Sequence, residues 1–404
     1  MEKLIGFVQE HMEDNTTRLV LDRAKWPDID IQMAVNCIES RRKLKGKVQK
    51  WYNEPELIFP AKLSAEQCSS DATASYKAAM AGRIAEGQPF RLADLTGGLG
   101  VDTWNFADRA SEVLYNEMQT PLYEAAIHNF KVLGCRNIQF SNKQIDNSNI
   151  SGILSGFKPD IVYMDPARRG EGGKKVFLIE DCTPDVLTLK DEIFRETRHI
   201  LLKLSPMADI SMACERLGAS CREVHAVGAA GECKELLIWM DREWSGGYSV
   251  TAAELNADGT HQSIIFTPEE EKTTNAAICG EIKAGDFLFE PGKALMKSGA
   301  FNIISVKTGM KKLGTSTHYY IADSGSIPNG MGKTYRIERC EELNKRSLRS
   351  IGQQYPKAEV TARNIPMDTD TLRKKLGVTS GGDTHIFGLR SDSKGPLIIV
   401  ASRL

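Results

Sequence analysis

The sequence holds no Cys-x-x-Cys pair, no repeat, no low-complexity tract and no apolar run near the roughly 18 residues of a membrane span. Its nine cysteines are scattered and odd in number, which argues for reduced thiols in a cytoplasmic protein and against a zinc site. Seven histidines show no metal-ligand spacing, so no metal is expected. Met1 to Glu10 lacks the apolar stretch of a signal peptide or anchor, and no membrane partner is expected. Net charge is also nearly missing: −1 overall recommends neither nucleic acid nor an acidic partner.

What is present is an ordinary globular composition, 41% apolar and 26% charged, in a chain of 404 residues, long enough for two or three domains. Charge is unevenly distributed. Arg41 to Lys50 carries six basic residues and no acid, with Trp51 and Tyr52 directly after it. From Ile327 to Leu404 there are 14 Lys and Arg against 8 Asp and Glu, so the C-terminal part is basic and the rest acidic.

Residues 1–87 read as a helical region, with Ser64-Ala65-Glu66-Gln67 as a capping-box start. The period then changes. Short apolar runs at Phe90 to Leu95, Val113 to Asn116, Ile138 to Phe140, Ile161 to Met164 and His199 to Leu204 predict strands. Val101 to Ala107, Pro121 to Leu133 and Asp185 to Glu196 predict helices between them. Strands alternating with helices indicate an α/β domain with a doubly wound, mostly parallel sheet, set here at residues 88–275. Arg222 to Val227 and Glu235 to Met240, joined by Gly228 to Gly231, predict a closing antiparallel hairpin, and Tyr248 to Phe266 a second one. Pro268 to Thr274 reads as a charged linker. Residues 276–326 are expected to form a small α+β, ferredoxin-like unit, and 327–404 a basic α+β domain.

The strongest chemical signal is the loop Asp94-Leu95-Thr96-Gly97-Gly98-Leu99-Gly100 after the first strand. Its glycines permit a sharp turn and close approach to a ligand, and the helix that follows presents free N–H groups. A nicotinamide enzyme would hold a pyrophosphate there, but Thr103 replaces the third fingerprint glycine, and Asp94 would repel a pyrophosphate. Asp94 suits instead a cationic amino group or sulfonium. Glu117 closes the second strand, where an acid accepts from ribose hydroxyls, and Met118 would lie against an adenine. Asp165-Pro166-Ala167-Arg168-Arg169 closes the fourth strand on the same sheet edge.

These loops resemble those of class I S-adenosylmethionine-dependent methyltransferases, a Rossmann-like fold that ends in an antiparallel hairpin. Asp165-Pro166 matches the start of the (Asp/Asn)-Pro-Pro-aromatic motif of amino-nitrogen methyltransferases. The resemblance implies S-adenosylmethionine as cofactor, held by Asp94, Thr96, Gly97, Gly98, Gly100, Asp102, Glu117, Met118 and Gln144. It implies Asp165, Pro166 and Arg168 as the catalytic set. Ala167 and Arg168 replace the Pro-aromatic pair, so the ring that stacks on a flipped base is absent. The order of the whole chain is also similar to bacterial methyltransferases with a THUMP-like C-terminal domain. Ala74-Ser75-Tyr76-Lys77-Ala78, Lys203-Leu204-Ser205-Pro206-Met207 and Ala362-Arg363-Asn364-Ile365-Pro366 are among the residues that carry this likeness. THUMP domains bind RNA, so the resemblance implies an RNA partner. An RNA-binding protein on a methyltransferase scaffold that does not catalyse is the competing reading.

Overall fold

The computed structural model describes residues 2–168, 179–322 and 330–404. They form two compact units, one of Met1–Val224, Glu235–Gly247 and Ala257–Gly259, the other of His225–Lys234, Tyr248–Asn256 and Thr260–Leu404. Among the described residues no helix is long and apolar enough to cross a membrane.

The first unit begins with helices α1 (Glu2–Glu10), α2 (Thr16–Leu21), α3 (Ile31–Leu44), α4 (Gln49–Asn53), α5 (Lys62–Gln67) and α6 (Asp71–Ile84). Ser64 lies inside α5 and does not start a helix. The capping box forms at Ser70, whose extended backbone lets its hydroxyl accept from Thr73 N at the head of α6. The alternating part follows as β1 (Arg91–Asp94), α7 (Val101–Ala107), β2 (Glu112–Asn116), α8 (Thr120–Val132), β3 (Ile138–Ser141), α9 (Ile150–Phe157) and β4 (Ile161–Met164). A short ribbon, β5 (Ala167–Arg168) with β6 (Cys182–Thr183), leads to α10 (Val186–Glu196), β7 (His199–Leu204) and α11 (Ile210–Leu217). Asp185 and Asp209 cap α10 and α11 by accepting backbone N–H bonds, so each expected helix start becomes the cap.

Strands β1 to β4 and β7 pair in parallel in the order β7-β4-β1-β2-β3. Every residue of β4 is buried, as a strand covered on both faces requires. The hairpin of β8 (Cys221–Ala229) and β9 (Glu232–Asp241) then places β9 antiparallel beside β7. Its strands run further than the sequence indicates. Only Ala230 and Gly231 remain as a turn, both at positive φ, the two-residue geometry that matches strand twist. The N-terminal helices share a core with this sheet: Leu44, Trp51, Phe59 and Ala74 pack with Leu99, Val101, Tyr115 and Phe130.

The second unit includes the expected second hairpin, β10 (Ser249–Leu255) and β11 (His261–Phe266). The segment read as a linker is helix α12 (Pro268–Thr273): Pro268 occupies its first turn, and Thr267 and Glu270 form a capping box. Then come β12 (Phe287–Pro291), α13 (Lys293–Ser298), α14 (Ile303–Thr308), β13 (Lys311–Lys312), β14 (Tyr320–Ala322) and β15 (Gly332–Glu342). Helix α15 (Lys345–Gln354), β16 (Glu359–Arg363), α16 (Thr369–Leu376), β17 (Thr384–Ser391) and β18 (Gly395–Arg403) complete it. One seven-stranded sheet of order β13-β14-β12-β15-β18-β17-β16 takes residues from both sides of position 327. Leu348, Ile351, Leu372 and Leu376 of α15 and α16 pack on Ile386, Ile398 and Val400 of that sheet.

The basic run at Arg41 to Lys50 is largely structural. Arg41 is buried, and its guanidinium donates to the carbonyls of Trp51, Tyr52, Glu54, Pro55 and Leu57, shaping the chain after α4. Arg42 donates to the carbonyls of Met12 and Asp14, and Lys47 to those of Ala65 and Glu66. Trp51 is fully buried. Arg41→Ala should therefore cost about 2 kcal/mol or more, because several carbonyls lose a charged donor, whereas exposed Lys45→Ala should stay within about 0.5 kcal/mol. Equal urea midpoints for the two variants would reject this role for Arg41.

Candidate functional site

The parallel strands end at one edge, and there the backbone makes the loop after β1. Asp94 stands level with Tyr115 of β2 and Tyr163 of β4. Leu95 N donates to Tyr163 O (3.1 Å) and Gly97 N to Asn116 O (2.8 Å), so the loop remains tied to both neighbouring strands after the ladder ends. Two of its glycines are obligatory for different reasons. A Cβ at Gly97 would stand 2.1 Å from the Tyr115 ring, and Gly100 combines a φ of 96° with the Phe130 ring 2.7 Å from where a Cβ would sit. Gly98 N–H points to Glu117, donating to Oε2 at 2.9 Å, and Tyr115 OH donates to Gly98 O at 2.6 Å.

Asp94 is 1% exposed. Its carboxylate accepts from Thr96 N (3.0 Å) and Thr103 Oγ1 (2.6 Å). Burial nevertheless dominates and pushes its pKa up to about 7, the two hydrogen bonds opposing the rise. Glu117, also buried, accepts from Gly98 N and from Gln119 N (2.8 Å). Met118 beside it is 52% exposed. Gln144 is exposed, and its backbone carbonyl accepts from Asn149 Nδ2 (2.7 Å).

Asp165 follows β4. Its N–H donates to the Thr96 hydroxyl at 2.6 Å, joining the two loops directly, and Pro166 beside it is buried. Lys203, on β7, donates to Asp165 Oδ2 at 2.5 Å. The Arg168 side chain and Arg169 lie outside the described residues.

Asp102 is placed differently from the other candidates. Its carboxylate is engaged in a buried cluster: Lys77 at 3.2 Å, Ser69 Oγ at 3.0 Å and Tyr163 OH at 2.8 Å. Lys77, with no exposed surface, also donates to both oxygens of Glu235 (2.7 and 2.9 Å) and to Ser69 Oγ (2.8 Å). Burial opposes the Asp102 charge, but Lys77, Lys203 and the two hydroxyls outweigh it and hold the carboxyl below its ordinary range. In Lys203 burial is likewise outweighed, here by Asp165, Glu235 and Asp102, so the ammonium is held above its ordinary range.

Lys77, Glu235 and Asn116 are the residues that the sequence reading missed at this edge. Asn116 is buried and donates to the carbonyls of Leu95 and Lys143, clamping the first loop to the end of β3. A lysine at a position that helical spacing makes buried is the one local signal that could have pointed to Lys77.

Comparison with known proteins bears on this arrangement. A ferredoxin-like domain family matches residues 287–327, and a THUMP domain-like family matches residues 332–403. The chain is similar to a solved structure described as a "putative methyltransferase from Porphyromonas gingivalis W83": 28% identity, 99% of this chain and 97% of that one covered, TM-score 0.86. A 16S rRNA N2 G1207 methyltransferase of T. thermophilus, solved with AdoMet and guanosine, matches at 15% identity over 46% of each chain, with TM-score 0.34. No curated protein matches. Both parts of the resemblance drawn from the sequence are met, the methyltransferase fold and the THUMP-like C-terminal domain.

A raised carboxyl pKa means that the folded protein holds a proton that the unfolded chain releases, so Asp94 weakens folding as pH rises from about 4 to about 7 and costs a constant amount above that. Asp94→Asn should thus gain stability over the parent by a few kcal/mol across that window, read from Tm at a series of pH values. A stability gap independent of pH between 4 and 8 would show that Asp94 is not the strained acid described.

Proposed function

We propose that this chain, with its class I methyltransferase fold and its ferredoxin-like and THUMP-like C-terminal regions, is a cytoplasmic S-adenosylmethionine-dependent methyltransferase acting on an amino nitrogen of an RNA base. The observation that carries this reading is the meeting of Asp94, Glu117 and Asp165 at one sheet edge, with Thr96 bonded to both Asp94 and Asp165. The donor set fits the cofactor. Asp94 supplies a carboxylate for a cationic amino group, Gly97, Gly98 and Gly100 keep the loop free of side chains, Glu117 accepts from ribose hydroxyls, and Met118 and Gln144 flank the base. Once bound, S-adenosylmethionine provides a sulfonium methyl group open to displacement.

The protein's own task is positioning and exclusion of water. Asp165 accepts an N–H of the acceptor amine and turns its lone pair toward the methyl group, while Pro166 limits the backbone whose carbonyl accepts a second N–H. With Ala167 in place of the second proline and no aromatic at 168, the base is not held by the usual stacking ring. Arg168 supplies a guanidinium plane for stacking or for a phosphate.

RNA as the acceptor is supported by the THUMP-like match and by the basic surface of the second unit. Lys345, Arg346 and Arg349 of α15 and Lys374 and Lys375 of α16 are exposed, as is Arg363, whereas Arg373 is half-buried and paired with Asp370 (2.9 Å). Phosphate contacts of this kind add affinity without selecting a base.

Transfer of labelled methyl from S-adenosylmethionine to cellular RNA tests the reading, with Asp165→Ala as control: turnover should vanish while cofactor affinity stays within about threefold. Undiminished turnover in that variant would reject the assigned loop. Glu117→Gln should weaken S-adenosylmethionine binding about tenfold or more in calorimetry, since an anionic acceptor for two hydroxyls becomes a neutral one. Unchanged affinity would remove Glu117 from the site.

RNA affinity should fall steeply with salt, with a log-log slope near −0.7 per neutralised phosphate on single strands. Neutralising Lys345, Arg346, Arg349, Lys374 and Lys375 together should flatten that slope and leave cofactor affinity unchanged. If the full-length protein showed no salt-dependent affinity for any cellular RNA fraction, the acceptor would have to be a small molecule or a protein.

A further inference from the structure

Two lysines and three carboxylates meet beneath the loop after β4, and three of them, Lys77, Lys203 and Glu235, have no part in holding the cofactor or the acceptor. They form an alternating series. Lys77 donates to Glu235 at 2.7 and 2.9 Å, Glu235 Oε2 lies 4.0 Å from Lys203 Nζ, and Lys203 Nζ lies 2.5 Å from Asp165 Oδ2. Lys77 and Glu235 are almost entirely buried, and Lys203 is 12% exposed. A buried ion cluster of this size is a poor source of stability, because desolvation offsets most of the attraction. Its value lies elsewhere, in fixing charged groups at set places.

We infer that Lys203, braced from behind by Glu235 and Lys77, is a positioning residue that fixes the Asp165 carboxylate by one oxygen and leaves the other free for an N–H of the methyl acceptor. This rests on the methyltransferase reading above. Asp165 is held twice. Its backbone N–H is bonded to the Thr96 hydroxyl of the first loop, and its side chain to Lys203, so the chain torsions between these anchors have little freedom. Without the ammonium the carboxylate, 37% exposed, would rotate into solvent and lose its direction. Glu235 and Lys77 keep Lys203 from following the same path: Lys203 stays between two carboxylates, and Glu235 is in turn neutralised by Lys77. Helix α6, far from β7 in sequence, therefore contributes to the reaction loop through charge.

The test uses full-length protein, labelled S-adenosylmethionine and total RNA as acceptor. Lys203→Met should lower kcat by about a hundredfold with cofactor Kd and RNA KM within about threefold, and Lys203→Arg should recover at least about tenfold of that loss. A loss carried by cofactor affinity, or unimpaired turnover in Lys203→Met, would overturn the inference. Hydrogen exchange of a peptide spanning residues 163–168 gives a second reading that needs no acceptor: about tenfold faster exchange is expected in Lys203→Met, with the other parallel strands unchanged. Unchanged exchange in that peptide would overturn the inference. Faster exchange together with a wild-type protein that methylates no acceptor would uphold the clamp and reject the methyltransferase reading. Should Lys203→Met not fold, the paired Lys203→Met/Glu235→Gln variant removes one charge of each sign and answers the same questions.

Discussion

The ammonium of Lys77 has no water to turn to, and the structure at the sheet edge is arranged around that fact. Glu235 and Asp102 must both reach it, and they come from β9 and α7, with Glu235 separated from Lys77 by 158 residues. Helix α6 is thereby fixed against β9, the antiparallel neighbour of β7, and against the first helix of the alternating region. The leading helices share the interior of the first unit through this ion cluster and through the apolar core around Trp51 and Tyr115. Removing either sign of charge alone would leave its partners buried and unmatched, which is the costly case.

On this frame the geometry of the parallel sheet does the rest. Strands β1, β2, β4 and β7 all end at one edge, so residues at or just beyond their ends can be connected by short bonds: Thr96 with Asp165, Gly98 with Glu117, Asn116 with Leu95 and Lys143, Lys203 with Asp165. Each bond joins residues at least 19 positions apart in sequence. The tight approach of Tyr115 to Gly97 belongs to the same economy of space, since a ring that fills the turn from below leaves no room for a side chain there.

Charge has opposite meanings at the two basic segments. Arg41 is buried and donates to five carbonyls, which makes it a fastener for an irregular stretch of backbone. The basic residues of α15 and α16 are exposed on helices whose apolar sides are already packed on a sheet. In sequence the two runs look alike, and burial is what separates them.

Much of the fold was readable in advance because its signals are local. Apolar runs of three to six residues, Asp185 and Asp209 before helices and the glycines after β1 each report on a few neighbouring bonds, and Asp94, Glu117 and Asp165 are recognisable by standing just at or beyond strand ends. The misreadings were local as well, and physical: Ser64 had competition from a better cap at Ser70, and Pro268 to Thr273 carried its own helix signals under a high charge. The sequence by itself determined the alternation of strands and helices in the first unit, the turn after β1 and the acids at its edge. Only the tertiary structure decided that Asp102 faces Lys77, that Glu235 stands behind Lys203, and that Arg41 is buried, because each depends on a partner brought near by the whole fold and leaves no trace in its own neighbourhood of the chain.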